Sequence, residues 1–195
     1  RCYRISFAGE LSFERAIPAS HGRAVWDKLM DAGAEFGVMP YGTEAMHVMR
    51  AEKGFIMIGD ETDGTVIPQD LGLHWAISKK KDDYLGKRAQ ARSHMQDASR
   101  WKLVGLETTD GSRLPDGAYA LGEGENANGQ RKVQGRVTSS YHSPTLGRGI
   151  AMGLVLKGPD RMGEVLSFSG TDGKTYEAKI VDPVFYDPEG EKQNV

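Results

Sequence analysis

Apolar and polar positions change period several times along the first hundred residues. Tyr3, Ile5 and Phe7 alternate with Arg4 and Ser6, the two-residue period of a strand. Gly9 and Glu10 read as a turn, and residues 12–17 as a second strand that Pro18 ends. Ser20 is placed to cap a helix, because its hydroxyl can accept from the free amides of a first turn. Val25, Leu29 and Met30, with Trp26 beside them, then form a helical apolar face that Gly33 terminates. A second helix is predicted from Thr43, with Ala45, Val48 and Met49 on one side, to a stop at Gly54. Residues 55–58 read as a short strand and 61–83 as irregular, broken by Gly64, Pro68 and Gly72. Residues 84–95 read as a third, more polar helix.

Near Asp97 the pattern changes. Short runs rich in valine, leucine and threonine follow, at 101–107, 131–139, 150–156, 164–169 and 175–181, separated by glycine, proline and asparagine. Asp172-Gly173 between the last two is a hairpin signal. The pattern predicts an α+β portion over 1–97 and an all-β portion over 98–195, the latter a small barrel or sandwich.

Composition narrows the class. With 195 residues, 38% apolar and 27% charged, the chain is an ordinary globular mixture that can bury a sizeable core. A net charge of −2 gives no global attraction to nucleic acid or to a membrane surface. Lys79, Lys80 and Lys81 form the densest basic run and read as a solvated loop. Cys2 is the single cysteine, which excludes an internal disulfide and a multi-cysteine zinc site and suits a reducing, cytoplasmic setting. No apolar run approaches the ~18 residues that span a bilayer. The chain opens directly into a strand-like pattern, with neither methionine nor a signal peptide, so it is expected to have been cut from something longer.

Local chemistry motifs are scarce. His21, His47, His74, His94 and His142 lack metal-ligand spacing, so no metal is expected. Residues 122–129 contain Gly-x-Gly without the spacing of a dinucleotide fingerprint and read as a flexible surface loop. No nucleophile elbow or phosphate loop is present. Arg50 and Glu52 stand at i and i+2, do not share a helix face, and read as structural ion-pair or capping residues.

Four segments, in order, resemble the glycine-cleavage aminomethyltransferase family. Phe7-Ala8-Gly9-Glu10-Leu11-Ser12-Phe13-Glu14 is similar to its Y-T-G-E-x-G-x-E. The run from Tyr41 to Gly54 is similar to its G-x-x-A-R-D-x-L-R-L-E-A-G, and Ile67 to Trp75 to its T-P-x-E-x-G-L-x-W. Val137-Thr138-Ser139-Ser140, Ser143 to Gly147 and Ile150 to Gly153 are similar to its V-T-S-G-x-x-S-P-x-L and I-A-L-G. Within the family, Arg50 to Gly59 looks most like the branch of sarcosine oxidase alpha subunits. The family's folate-holding tyrosine and arginine are replaced here by Phe7 and Met46, and its terminal P-F-x-R by Val184-Phe185-Tyr186-Asp187.

The resemblance implies a folate-binding α+β portion followed by a small all-β barrel domain, with tetrahydrofolate as cofactor. It implies that Glu14 accepts paired hydrogen bonds from a pterin, a task suited to a carboxylate's two oxygens. Phe7 would present an apolar ring to the same ligand. No catalytic residue is expected in this chain, because the family's acidic residue lies upstream of Arg1. Flavin and nicotinamide sites, and the contacts to other sarcosine oxidase subunits, are expected outside it. The implied function is capture of the one-carbon unit from sarcosine oxidation as 5,10-methylenetetrahydrofolate, with weak folate binding and no turnover by this chain alone. An aminomethyltransferase proper, a dimethylglycine-oxidising relative and a non-catalytic folate-binding scaffold remain alternatives.

Overall fold

The computed structural model describes residues 1–194. At the N-terminus β1 (Cys2–Tyr3) pairs antiparallel with β2 (Glu14–Arg15), in the register Cys2 to Arg15 and Tyr3 to Glu14. Both strands are shorter than their alternation predicts. Ile5, Leu11 and Phe13 stay exposed, since a two-stranded ribbon with no third strand has nothing to bury its apolar face against.

The helix α1 (Gly22–Gly33) is preceded by a single 3-10 turn, Ala19–His21. Ser20 sits inside that turn and does not cap, contrary to expectation: its Oγ lies 3.2 Å from His21 Nδ1. The turn's own backbone bonds, His21 N–H to Pro18 and Gly22 N–H to Ala19, occupy the donors a capping hydroxyl would serve. A further 3-10 turn, Ala34–Phe36, extends the helix to Gly37, whose positive φ of 71° closes it. The second predicted helix forms as α2 (Thr43–Glu52). It ends in a Schellman arrangement, with Gly54 N–H donating to Ala51 and Phe55 N–H to Arg50. A side chain at Gly54 would place its Cβ 2.6 Å from the carbonyl of Pro183, and its φ is +71°, so glycine is required twice over.

Residues 55–58 form no strand, only the single bridge Ile58–Thr62. The third predicted helix shrinks to the one-turn α3 (Lys87–Gln90) and a 3-10 turn, Ser93–Gln96. Gly86 at φ 96° prevents an earlier start, and Arg92 in extended conformation breaks the run. No residue of the segment is buried, so no packing rewards a longer helix.

The second half is a closed antiparallel barrel. Its strands are β3 (Trp101–Thr108), β4 (Tyr119–Glu125), β5 (Arg131–Ser143), β6 (Arg148–Leu156), β7 (Val165–Ser169) and β8 (Thr175–Val181). Around the barrel the order is β3-β6-β5-β4-β7-β8, and β8 returns to pair with β3. Five strands were legible from the pattern. β4 was not, and it converts the start of the expected 122–129 loop into sheet, with residues 126–129 as the turn to β5. Ala120, fully buried, carries β4's inward face, while Gly122 lets the strand lie against the Lys132 backbone. The Asp172-Gly173 turn joins β7 and β8 as its sequence requires.

Two apolar clusters result. Val104, Leu106, Ala120, Val155, Phe168 and Ile180 fill the barrel. Leu103, Ile150, Met152 and Leu154 point outward and meet Ala51 of α2 and Leu71. β6 therefore contributes alternate residues to both clusters, which is why it reads as one continuous apolar run. Gly105 lies where β3 is crossed by the chain leaving β8: a Cβ there would sit 2.3 Å from the Asp182 carbonyl oxygen. Gly105→Ala is expected to cost about 1–3 kcal/mol by overpacking, read as a lower urea midpoint at unchanged slope.

Candidate functional site

The first half of the chain is fastened to the barrel by charged side chains buried between them. Arg50, on the last turn of α2, is fully buried. Its Nη1 donates to Glu61 Oε2 at 2.8 Å and to the Phe55 carbonyl at 3.2 Å. Its Nη2 donates to Ser139 Oγ on β5 at 2.6 Å and reaches Asp60 Oδ2 at 3.3 Å. The Tyr141 ring centroid lies 5.7 Å from the guanidinium carbon, a cation–π distance. Glu61, equally buried, accepts in addition from the Met57 amide at 2.8 Å, Thr138 Oγ1 at 2.9 Å and Ser139 Oγ. Every carboxylate oxygen is thus met by at least two donors, the condition under which two charges can be held out of water.

Two residues further along α2, Glu52 reaches the same strand at a second point. It accepts from Ser143 Oγ at 2.5 Å and Thr145 Oγ1 at 3.2 Å. Arg50 is the structural ion-pair residue its position suggested, and Glu52 serves hydroxyls of the β5–β6 turn. A third tie comes from Arg100, whose guanidinium grips Asp70 through Nε at 3.0 Å and Nη2 at 2.6 Å. Those hydrogen bonds hold the Arg100 pKa above its ordinary value. Asp63 makes the most exposed tie, to Arg136 of β5 at 2.9 Å. Its carboxyl is held below the usual range, first by the Thr65 hydroxyl and amide and then by Arg136.

Arg50 also lines a cavity of about 290 Å³ between the N-terminal ribbon and the loops after α2. Phe7, Phe55, Ile56, Leu71, Leu73 and Trp75 form its apolar and aromatic walls. Arg50 Nε is buried with no hydrogen-bond partner, so one donor beside this cavity is unsatisfied. Of the residues singled out from the sequence, Phe7 is half-buried in the cavity wall, whereas Glu14 stands exposed on β2 and does not line it. Met46 is half-buried on α2, one turn before Arg50. Among the described residues no group of three or more His, Cys, Asp or Glu could hold a metal ion, and no helix is long and apolar enough to cross a membrane. Sequence reasoning did not find Glu61, Thr138 and Ser139 as the partners of Arg50, nor Trp75 and Phe55 as cavity walls.

Residues 1–81 match the model of the GCVT N-terminal domain, and residues 102–187 that of the glycine cleavage T-protein C-terminal barrel domain. The sarcosine oxidase alpha subunit of Corynebacterium sp. strain U-96 is 46% identical over 196 residues, covering all of this chain and 20% of that protein. The alpha subunit from Rhizobium meliloti is 40% identical over 99% of this chain and 20% of its own length. An aminomethyltransferase of Desulfitobacterium hafniense is 30% identical over 96% of this chain and 49% of its own. The crystal structure of the glycine cleavage system aminomethyltransferase T from Bartonella henselae superimposes with a TM-score of 0.78 at 27% identity, over 94% of this chain and 49% of that one. The chain therefore spans about a fifth of the sarcosine oxidase relatives and about half of the aminomethyltransferases.

Glu61→Gln leaves Arg50 with only the long, half-exposed Asp60 contact as countercharge and is expected to cost about 3–5 kcal/mol in urea unfolding. Replacing both partners together, Arg50→Met with Glu61→Leu, should recover most of that loss. For Asp63, a carboxyl with a lowered folded-state pKa stabilises at pH values above its unfolded value of 3.8, and the contribution disappears as pH falls through the lower folded value. The stability gap between wild type and Asp63→Asn should accordingly be flat from pH 8 to 5 and close below pH 3.8. A gap that widened on acidification would contradict this assignment.

Proposed function

The chain belongs to the glycine cleavage T-protein family, and on that premise we propose that it is a folate-binding region working within a sarcosine oxidase alpha subunit. The cavity beside Phe7 carries the reading. Three aromatic side chains around about 290 Å³ suit a flat ring system. The volume accommodates one ring system of a reduced folate and not the whole molecule. Glu14, exposed on the ribbon outside the cavity, is the residue that would accept from the adjacent N–H groups along the edge of the same pterin that Phe7 faces. Identity of 40–46% to sarcosine oxidase alpha subunits, against 30% to the aminomethyltransferase of D. hafniense, favours the oxidase branch.

Tetrahydrofolate, when bound, supplies the nucleophilic nitrogens that take up the one-carbon unit as 5,10-methylenetetrahydrofolate. This chain's residues bind and orient it. Phe7, Phe55 and Trp75 exclude water from the ring, and a nucleophile held in place competes with hydrolysis through proximity. The barrel contributes rigidity: β5 and β6 hold α2, and α2 holds the cavity floor at Arg50 and Gly54.

Calorimetric titration with a reduced folate tests the reading. Wild type is expected to bind, and Glu14→Ala and Phe7→Ala each to weaken binding about tenfold or more, the loss of a charge-assisted pair or of an aromatic wall. Equal binding by all three proteins would remove the ligand from this face altogether.

A further inference from the structure

After β8 the chain does not leave the molecule. The Glu52 carbonyl at the end of α2 accepts from both Phe185 N–H and Tyr186 N–H at 2.9 Å. Asp187 follows in a left-handed conformation, φ 50°, which a non-glycine residue adopts only against a steric cost. Its carboxylate collects Lys53 Nζ at 2.8 Å, Glu191 N–H at 2.9 Å and Lys192 N–H at 3.2 Å, and Lys53 also donates to the Asp187 carbonyl. Both side chains of this pair are more than nine-tenths shielded.

From that point the tail turns back onto the ribbon. The Lys192 carbonyl accepts from Leu11 N–H at 2.9 Å, and the Gln193 carbonyl from Arg4 Nη2 at 2.7 Å. On its other side the same loop rests on the stem of Lys53: a Cβ at Gly9 would lie 2.5 Å from Lys53 Cγ. Phe7 stands in the middle of this loop. Among the described residues, the Leu11 bond to Lys192 is the one backbone–backbone hydrogen bond made by residues 4–11. Residues 188–194 bury no side chain, so the tail beyond Asp187 is held by polar contacts and not by a core of its own.

We propose that residues 182–194 act as a strap that sets the Phe7 wall of the cavity, and that Lys53 and Asp187 are the positioning residues that fasten it. Neither touches the cavity. Their action runs through Lys192, Gln193 and Gly9 to the loop that carries Phe7. The effect on ligand affinity rests on the folate reading above; the mechanical coupling of tail to loop does not.

Hydrogen exchange and folate titration of the full-length protein separate the two. In Asp187→Asn and in Lys53→Met, the hydrogen-bonded amides of Gly9 and Leu11 should exchange about tenfold faster together with those of 190–193, while β3, β5 and β6 keep wild-type protection. Lys53→Arg, which retains the cation, should stay close to wild type. Tetrahydrofolate affinity should fall about fivefold or more in the first two variants and recover in the third, a rescue that general loss of stability would not produce. Faster exchange confined to the tail, or no change in Lys53→Met, would overturn the strap. Coupled exchange with unaltered tetrahydrofolate affinity would overturn the positioning role. Absence of tetrahydrofolate binding by wild type would overturn the folate reading, and the exchange data would then decide the strap alone.

Discussion

Everything on the N-terminal side of the barrel depends on burying one guanidinium. Arg50 is the largest fully buried side chain among the described residues, and Glu61, Ser139, Tyr141 and the Phe55 carbonyl are arranged around it. An uncompensated charge in that position would cost several kcal/mol, so the partners cannot move independently. The consequence is geometric. The α2 terminus, the 55–61 loop and strand β5 share one polar centre, and the Phe7 cavity is built on its rim. The apolar contacts of Ala51 and Leu71 with Ile150, Met152 and Leu154 add area but no comparable directional demand.

Polar specificity at this junction compensates for a sparse apolar core in the first half. The buried apolar residues of the chain lie almost entirely in the barrel, and α1 buries none of its residues. Trp26, Leu29, Phe36, Val38, Met39 and Tyr41 are exposed. The order of this half comes from its ties to the second: Arg50 and Glu61 to Ser139, Glu52 to Ser143, Asp70 to Arg100, Asp63 to Arg136 and Lys53 to Asp187. Such contacts fix relative position well and contribute modest net stability, which suits a surface whose task is to hold a ligand wall in place.

Most of the barrel was legible in the sequence because its strands carry their own signal. Residues 175–181 alternate, Asp172-Gly173 can only turn, and the run 150–156 is apolar on both faces. β4 escaped because its glycines suggest a loop; the strand survives through pairing to β5 with two register shifts, a tertiary effect with no local trace. The short ribbon and the truncated third helix failed for the opposite reason, since alternation and helical period were present without a surface to pack on. At the site, Phe7 and the Arg50–Glu52 segment were singled out by resemblance and by charge, whereas Glu14, singled out with them, stands exposed outside the cavity. The partners of Arg50 lie 11 and 89 residues away along the chain, and no spacing rule connects them.

The pairing of β3 with β8 also sets the order of events at the ribosome. The barrel's first strand meets its last, so the sheet cannot close before Val181 has been made. Until then β5, which carries Ser139 to Arg50, stands in an open sheet, and the strap residues beyond Asp182 have not yet appeared. The N-terminal ribbon and helices thus emerge early and are finished late. During that interval the apolar side chains that later meet the barrel, Ala51 and Leu71 among them, are open to neighbouring chains, and this is where association competes with folding.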